Sequence, residues 1–96
     1  MTIRVAIADD HSLVRQGLRR YLDMAEGIEV VGEAANGQEL VEKYKELRPD
    51  LTTMDIVMPF KSGIEATREI IKHDAKAVVV MCSALGQESL VMEAIE

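Results

Sequence analysis

Two hydrophobic patterns alternate along the chain. Short, almost wholly apolar runs are typical of parallel strands that are covered on both faces, and longer segments carry apolar residues at helical spacing. The runs predict strands at residues 3–8, 28–34, 51–55 and 77–83. The periodic segments predict a helix at about residues 13–24, a second that follows Asn36-Gly37 and stops at Arg48, a third that begins near Ile64, and a fourth from about residue 87. The chain therefore alternates strand and helix four times.

This alternation predicts a parallel sheet with right-handed crossovers. Ser12 is expected to cap the first helix, and Pro49 stops the second helix near Arg48. The 96 residues form one small domain. No internal repeat or linker divides it.

Acidic residues stand at the ends of two of the predicted strands. Open α/β sheets bind ligands beyond the carboxyl ends of their strands, at the point where the strand order reverses. If the order is 2-1-3-4, this point lies between the first and third strands. Those strands end in Asp9-Asp10 and in Asp55, so we expect three carboxylates to meet there.

Three neighbouring carboxylates repel one another. For one pair about 4 Å apart at an effective dielectric constant near 20, the repulsion is roughly 4 kcal/mol. Such a cluster persists if it is protonated, solvated or occupied by a cation, and oxygen ligands with room for water suit Mg²⁺. The alternative is that Asp9 and Asp10 cap the helix that follows them, a common role for Asp at the end of a strand.

The composition of the chain argues against several classes of function. The formal net charge is −6 and only three residues are aromatic, which argues against nucleic-acid binding by this chain alone. The single cysteine, Cys82, excludes an internal disulfide and suits a reducing cytoplasm. No apolar run is long enough to span a membrane, and Met1 leads straight into a strand without a signal peptide. We therefore expect a cytoplasmic protein.

Three short motifs together resemble the receiver domain of two-component response regulators. They are Ala-Asp-Asp-His at 8–11, Met-Asp-Ile-Val-Met-Pro at 54–59 followed by Gly63, and Cys-Ser-Ala at 82–84. The resemblance extends over the whole chain, with residues 3–40 similar to receivers of transcription regulators and residues 51–96 similar to chemotaxis regulators. It implies a flavodoxin-like, doubly wound parallel sheet in order 2-1-3-4, an order taken from the family, whose chemotaxis member is the usual example of it.

The resemblance also implies roles for the acidic residues. Asp55 would be the phosphoacceptor, and a sensor histidine kinase would be the partner that phosphorylates it. Asp10 would bind Mg²⁺ directly, Asp9 directly or through water, and Val57 through its backbone carbonyl. Any enzymatic activity would be limited to self-phosphorylation from small donors and to autodephosphorylation.

Four further residues lie in or next to these motifs, and two of them, Ser83 and His11, have two interpretations each. The resemblance makes Ser83 the switch hydroxyl that contacts the phosphoryl group, with the Ala84 amide close by; Ser83 could instead be an ordinary helix cap. His11 is expected to be a surface or capping residue in preference to a ligand. Cys82 is expected to be a buried hydrophobic residue.

The family continues beyond the fourth helix into a strand that ends with a lysine and into a fifth helix. We therefore expect a receiver-like domain shortened by one βα unit, with impaired switching. One face of the sheet would have only one helix, and the apolar fourth strand would be an open edge. These features predict a homo-oligomer, most simply a two-fold dimer. The alternative function is a non-signalling assembly or scaffold fragment that self-associates through its fourth strand and helix.

Overall fold

The computed structural model describes residues 2–82 and the backbone of residues 90–94. Its elements are β1 (Ile3–Ala8), α1 (Ser12–Asp23), β2 (Ile28–Ala34), α2 (Gly37–Leu47), β3 (Leu51–Asp55), α3 (Gly63–His73), β4 (Val78–Cys82) and β5 (Leu90–Ala94). The sheet has the order β2-β1-β3-β4-β5, and its first four strands are parallel. The predicted 2-1-3-4 order and the flavodoxin-like class are confirmed. None of the helices described is long and apolar enough to cross a bilayer.

The two faces of the sheet carry separate hydrophobic cores. Side chains alternate between the faces along β1, as they do in any strand. Val5 and Ile7 pack with Leu18 and Leu22 of α1 on one face. The opposite face holds the larger core, in which α2 and α3 cover residues from all four parallel strands. One helix therefore covers the first face and two cover the second, as predicted.

The last strand differs from the prediction. A helix from about Gln87 is wrong for the stretch Leu90–Ala94, which is extended and pairs antiparallel with Val78–Cys82. The open edge of β4 offers unpaired backbone N–H and C=O groups, and a short apolar segment can satisfy them as a strand. The premise that β4 is an open edge is therefore wrong too. Homo-oligomerisation stays a prediction, based now on the α1 face, where Val78 and Val80 are only half-buried.

The helix starts follow local capping chemistry at α2 and α3 and depart from it at α1. The Asn36 side chain accepts a hydrogen bond at the start of α2, and Ser62 forms a reciprocal capping box with Glu65 at the start of α3. Ser12 was expected to cap α1, but it is the first helical residue, and His11 holds the capping position without a capping hydrogen bond from its side chain. The His11 ring has a different set of neighbours.

Candidate functional site

The carboxyl ends of β1 and β3 bring four polar side chains together. Because β1 and β3 are adjacent and paired in register, Asp9 and Asp10 after β1 lie beside Asp55 at the end of β3. One ligand atom from each of these acids and one from His11 lie within 4.8 Å of one another. The structure thus places the three predicted acids in one cluster and adds a histidine.

Backbone and side-chain contacts hold the end of β1 in place. The Asp9 N–H donates to the Ala34 carbonyl oxygen at 3.0 Å, and Arg15 Nη1 donates to the Asp9 carbonyl oxygen at 2.7 Å. Arg15 Nε also donates to Glu33 at 3.0 Å. Hydrogen bonds from Arg19 first, and then from Arg15, hold the pKa of the Glu33 carboxyl below its ordinary value. Glu33 is therefore ionised at neutral pH and anchors the arginine that fixes Asp9.

Asp55 is the most buried acid of the cluster. Its residue surface is only 3% exposed, and its Oδ2 atom has no hydrogen-bond partner among the residues described. Burial first, and then the charges of Asp9 and Asp10, raise the pKa of Asp55 above its ordinary value, while the Val57 N–H and His11 act in the opposite direction. A buried oxygen without a donor is unusual in folded proteins and indicates a missing ligand or ion.

His11 lies across the mouth of the acid cluster. Its Nδ1 atom is 3.0 Å from Asp9 Oδ1, 3.1 Å from Asp10 Oδ1 and 3.9 Å from Asp55 Oδ2. The hydrogen bond with Asp9, followed by the charge of Asp10, raises the pKa of His11. The expectation of a surface or capping residue is therefore incomplete, because the ring is exposed but faces the acids. Its position directly after the acidic pair was the sequence signal for this contact.

The donor set fits Mg²⁺. Three carboxylates supply hard oxygen ligands, and Mg²⁺ typically takes one or two of them and keeps several waters. The unpartnered Oδ2 of buried Asp55 faces this set. A cation here would relieve the repulsion among the acids that raises the pKa of Asp55.

The other residues predicted for the site have different positions. Val57 is exposed in the loop after β3. Cys82 ends β4 beside Asp55 and is half-buried, not fully buried as expected. Burial, and then the charge of Asp55, raise the pKa of its thiol. Ser83 and Ala84 lie outside the described residues.

We expect Asp55→Asn to stabilise the metal-free protein. The folded-state pKa of Asp55 is raised, so protonation favours folding, and this contribution is lost as the pH rises through the folded-state pKa. At neutral pH the uncharged asparagine amide should raise the melting temperature by about 4–8 °C if it raises the free energy of unfolding by about 1 kcal/mol. Thermal unfolding in EDTA measures this change in melting temperature, and the control is Asp23→Asn, which replaces an exposed acid. The gain should shrink as the pH approaches 4, and a lower melting temperature at pH 7 would contradict the prediction.

The chain is similar to known proteins over most of its length. The family model described as "Response regulator receiver domain" matches residues 5–96. The chemotaxis protein CheY of Thermotoga maritima is 53% identical over 93 residues, which are 97% of this chain and 77% of that protein.

Solved structures show the same similarity. The response regulator domain of Thermotoga maritima CheB superposes with a TM-score of 0.84 at 43% identity, covering 95% of this chain and 67% of that one. CheY in the CheX-CheY-BeF3-Mg²⁺ complex of Borrelia burgdorferi superposes with a TM-score of 0.80 at 38% identity, covering 90% and 65%. The fold, the acid cluster and these similarities together show that the chain belongs to the response regulator receiver domain family.

Proposed function

We propose that this chain is a phosphoacceptor receiver domain in which Asp55 accepts a phosphoryl group with the help of Mg²⁺. The observation that carries the proposal is the buried Asp55 Oδ2 atom, which has no partner within the described part of the chain and lies at the cluster of Asp9 and Asp10. A carboxylate in this position is too shielded to be an ordinary surface acid. One of its oxygens belongs to the cluster formed with the other acids.

The chemistry of the step is a displacement at phosphorus. An Asp55 carboxylate oxygen attacks the phosphorus of a donor, the bond from phosphorus to the donor oxygen or nitrogen breaks, and the donor group leaves with the bonding electrons. The product is an acyl phosphate on Asp55. Such transfers depend mainly on positioning and electrostatic stabilisation.

The acids around Asp55 would hold the metal. Asp10 would bind it directly, Asp9 directly or through water, and the Val57 carbonyl would add a further oxygen. Mg²⁺ when bound supplies the positive charge that offsets the nucleophile and the phosphoryl oxygens. Arg15 supports this arrangement, because its hydrogen bond to the Asp9 carbonyl oxygen at 2.7 Å fixes the end of β1.

Two more residues complete the proposal on the basis of the family resemblance alone. The Ser83 hydroxyl would turn toward the phosphoryl group, and the Ala84 backbone amide would contact it. A sensor histidine kinase in the cytoplasm would be the donor partner. The similar CheY complex, which contains BeF3 and Mg²⁺ together with CheX, supports both the metal and a protein partner.

Phosphorylation by a small donor tests the proposal. The chain treated with acetyl phosphate and Mg²⁺ should gain one phosphoryl group by intact-mass spectrometry, and mild base should remove it. EDTA should prevent the gain, because the repulsion between donor and acids would no longer be offset. An unchanged mass in Mg²⁺, with the fold verified by circular dichroism, would contradict the proposal and favour the alternative function.

That alternative, a self-associating scaffold fragment, has one observation in its favour. On the sheet face that carries α1, the one helix there among the described residues, Val78 and Val80 of β4 are only half-buried. Covering them with a second copy would bury apolar surface worth about 25 cal/mol per Å². Light scattering at micromolar concentration should then give twice the chain mass, and a single-chain mass would rule out self-association. A dimer that is also phosphorylated would agree with a phosphoacceptor receiver domain that self-associates.

A further inference from the structure

We propose that His11 is a metal ligand, and that its Nδ1 atom makes this site bind divalent ions that favour imidazole nitrogen, such as Zn²⁺, more tightly than Mg²⁺. The inference rests on the proposed function in one respect, since the ion would share the carboxylates of Asp9, Asp10 and Asp55. It adds a nitrogen ligand to a set that otherwise contains only oxygen. Zn²⁺ would then compete with Mg²⁺ for the site.

The distances around Nδ1 fit shared coordination. Ligands at bonds of about 2.1 Å lie about 3.0 Å apart at neighbouring corners of an octahedron and about 3.4 Å apart in a tetrahedron. Nδ1 of His11 is 3.0 Å from Asp9 Oδ1 and 3.1 Å from Asp10 Oδ1. These two separations match neighbouring ligand positions, and all the candidate ligand atoms lie within 4.8 Å of one another.

The third acid lies within reach of the same ion. Asp55 Oδ2 is 3.9 Å from Nδ1, close to the separation of opposite corners of an octahedron, which is about 4.2 Å for such bonds. This oxygen is also the one that is buried and has no hydrogen-bond partner in the described residues. The burial of this oxygen adds to the mere proximity of the acids, because a buried carboxylate oxygen without a hydrogen-bond donor calls for a partner, and a cation bound beside His11 would be one.

The His11 backbone holds the ring at this place, and its Nδ1 atom, hydrogen-bonded to Asp9 Oδ1 at 3.0 Å, would exchange this bond for one to the metal. The His11 N–H donates to Asp9 Oδ1 at 2.8 Å, which fixes the residue at the start of α1. The side chain is 54% exposed and makes no capping hydrogen bond to α1. Binding a metal would therefore not cost the helix its cap.

The ligand types select the class of ion. Imidazole nitrogen suits Zn²⁺, Co²⁺ and Ni²⁺, whereas carboxylates and water suit Mg²⁺. A site of three carboxylates alone would have little reason to discriminate against Mg²⁺. With His11 included, the donor set resembles the mixed nitrogen and oxygen sets that hold Zn²⁺.

Calorimetric titrations of the full chain with Zn²⁺ and with Mg²⁺ test the assignment. His11→Ala should lower the Zn²⁺ affinity at least about tenfold more than the Mg²⁺ affinity. The matched control is His73→Ala, which removes the other histidine, an exposed residue at the end of α3, and should change neither affinity. Equal losses for both ions in His11→Ala, or no loss of Zn²⁺ affinity, would overturn the inference.

A second readout identifies the ligand atom. In ¹⁵N-labelled protein, Zn²⁺ should shift the Nδ1 resonance of His11 and leave His73 unchanged, whereas a shift confined to Nε2 would overturn the assignment. The acetyl phosphate experiment separates the two proposals. If the chain is phosphorylated in Mg²⁺ but His11→Ala keeps its Zn²⁺ affinity, this inference is wrong and the proposed function stands. If His11→Ala selectively loses Zn²⁺ affinity but the chain is not phosphorylated, the proposed function is wrong and this inference stands.

Discussion

Replacing Asp10 by asparagine will slow Mg²⁺-dependent phosphorylation by acetyl phosphate at least about a hundredfold, equivalent to about 2.7 kcal/mol of transition-state stabilisation. Asp10 is the more exposed acid of the pair, with a side chain 31% accessible, and so is the one best placed to bind an entering ion. Its loss removes a charged ligand from the metal while leaving the Asp55 nucleophile intact. Intact-mass time courses measure the rate.

The same variant should lose most of the rise in melting temperature that millimolar Mg²⁺ gives the parent, because an ion bound only by the folded state stabilises it by mass action. Without metal, Asp10→Asn should be at least as stable as the parent, since it relieves repulsion. Asp23→Asn is the control, because Asp23 is an exposed acid on α1 far from the cluster in sequence and paired only with Arg19 at 3.9 Å. Unchanged phosphorylation in Asp10→Asn would exclude a metal role for Asp10.

Gly63→Ala should destabilise the protein by about 1–3 kcal/mol, as overpacking of a tight contact does. Gly63 begins α3 directly against the end of β3, where a Cβ atom would lie 2.9 Å from Met54 Cγ and 3.0 Å from the carbonyl carbon of Asp55, and would overlap the Asp55 carbonyl oxygen. Backbone cannot move aside as a flexible side chain can. Relief of this overlap would displace Asp55, so phosphorylation should fall as well.

Gly17→Ala is the matched control for this substitution. Gly17 lies on an exposed face of α1, and no heavy atom lies within 4 Å of the position its Cβ would take. Alanine there should stabilise by about 0.5–1 kcal/mol, the usual cost of glycine inside a helix. Urea unfolding of both variants measures the difference, and equal effects of the two substitutions would show that the contact between α3 and β3 is not tight.

The sequence predicted the elements whose pattern is long or strongly apolar. β2 has the predicted bounds, Ile28–Ala34, and β4 begins one residue later and ends one residue earlier than predicted. The meeting of Asp9, Asp10 and Asp55 followed from strand order, because neighbouring parallel strands bring their carboxyl ends to one edge. This part of the site needed no knowledge of side-chain packing.

The features that the sequence did not predict depend on residues distant in the chain, or on whether a segment is more stable as a helix or as a strand. The stretch Leu90–Ala94 is too short for periodicity to decide between helix and strand, and its pairing with β4 depends on an edge that only the folded sheet presents. Tyr44 of α2 is buried, and its polar partner lies 30 residues further along the chain. Its hydroxyl donates to Asp74 at 3.0 Å, and burial, followed by this bond, raises the pKa of Tyr44 to about 12.

The orientation of the His11 ring is a further feature that the sequence did not predict. The residue type and its place beside the acidic pair were visible in the sequence, but the direction of the ring depends on how the first turn of α1 leaves β1. Because Ser12 is helical and His11 takes the capping position, the ring turns back toward the acids.

The most direct test of the central claim is to identify the residue that carries the phosphoryl group. Borohydride reduces an acyl phosphate of aspartate to homoserine with release of phosphate, and peptide mass spectrometry then locates the homoserine. After treatment with acetyl phosphate and Mg²⁺, the account predicts homoserine at position 55 only, and none in Asp55→Asn. Homoserine at position 9 or 10, or equal labelling of Asp55→Asn, would contradict the assignment of Asp55 as the phosphoacceptor.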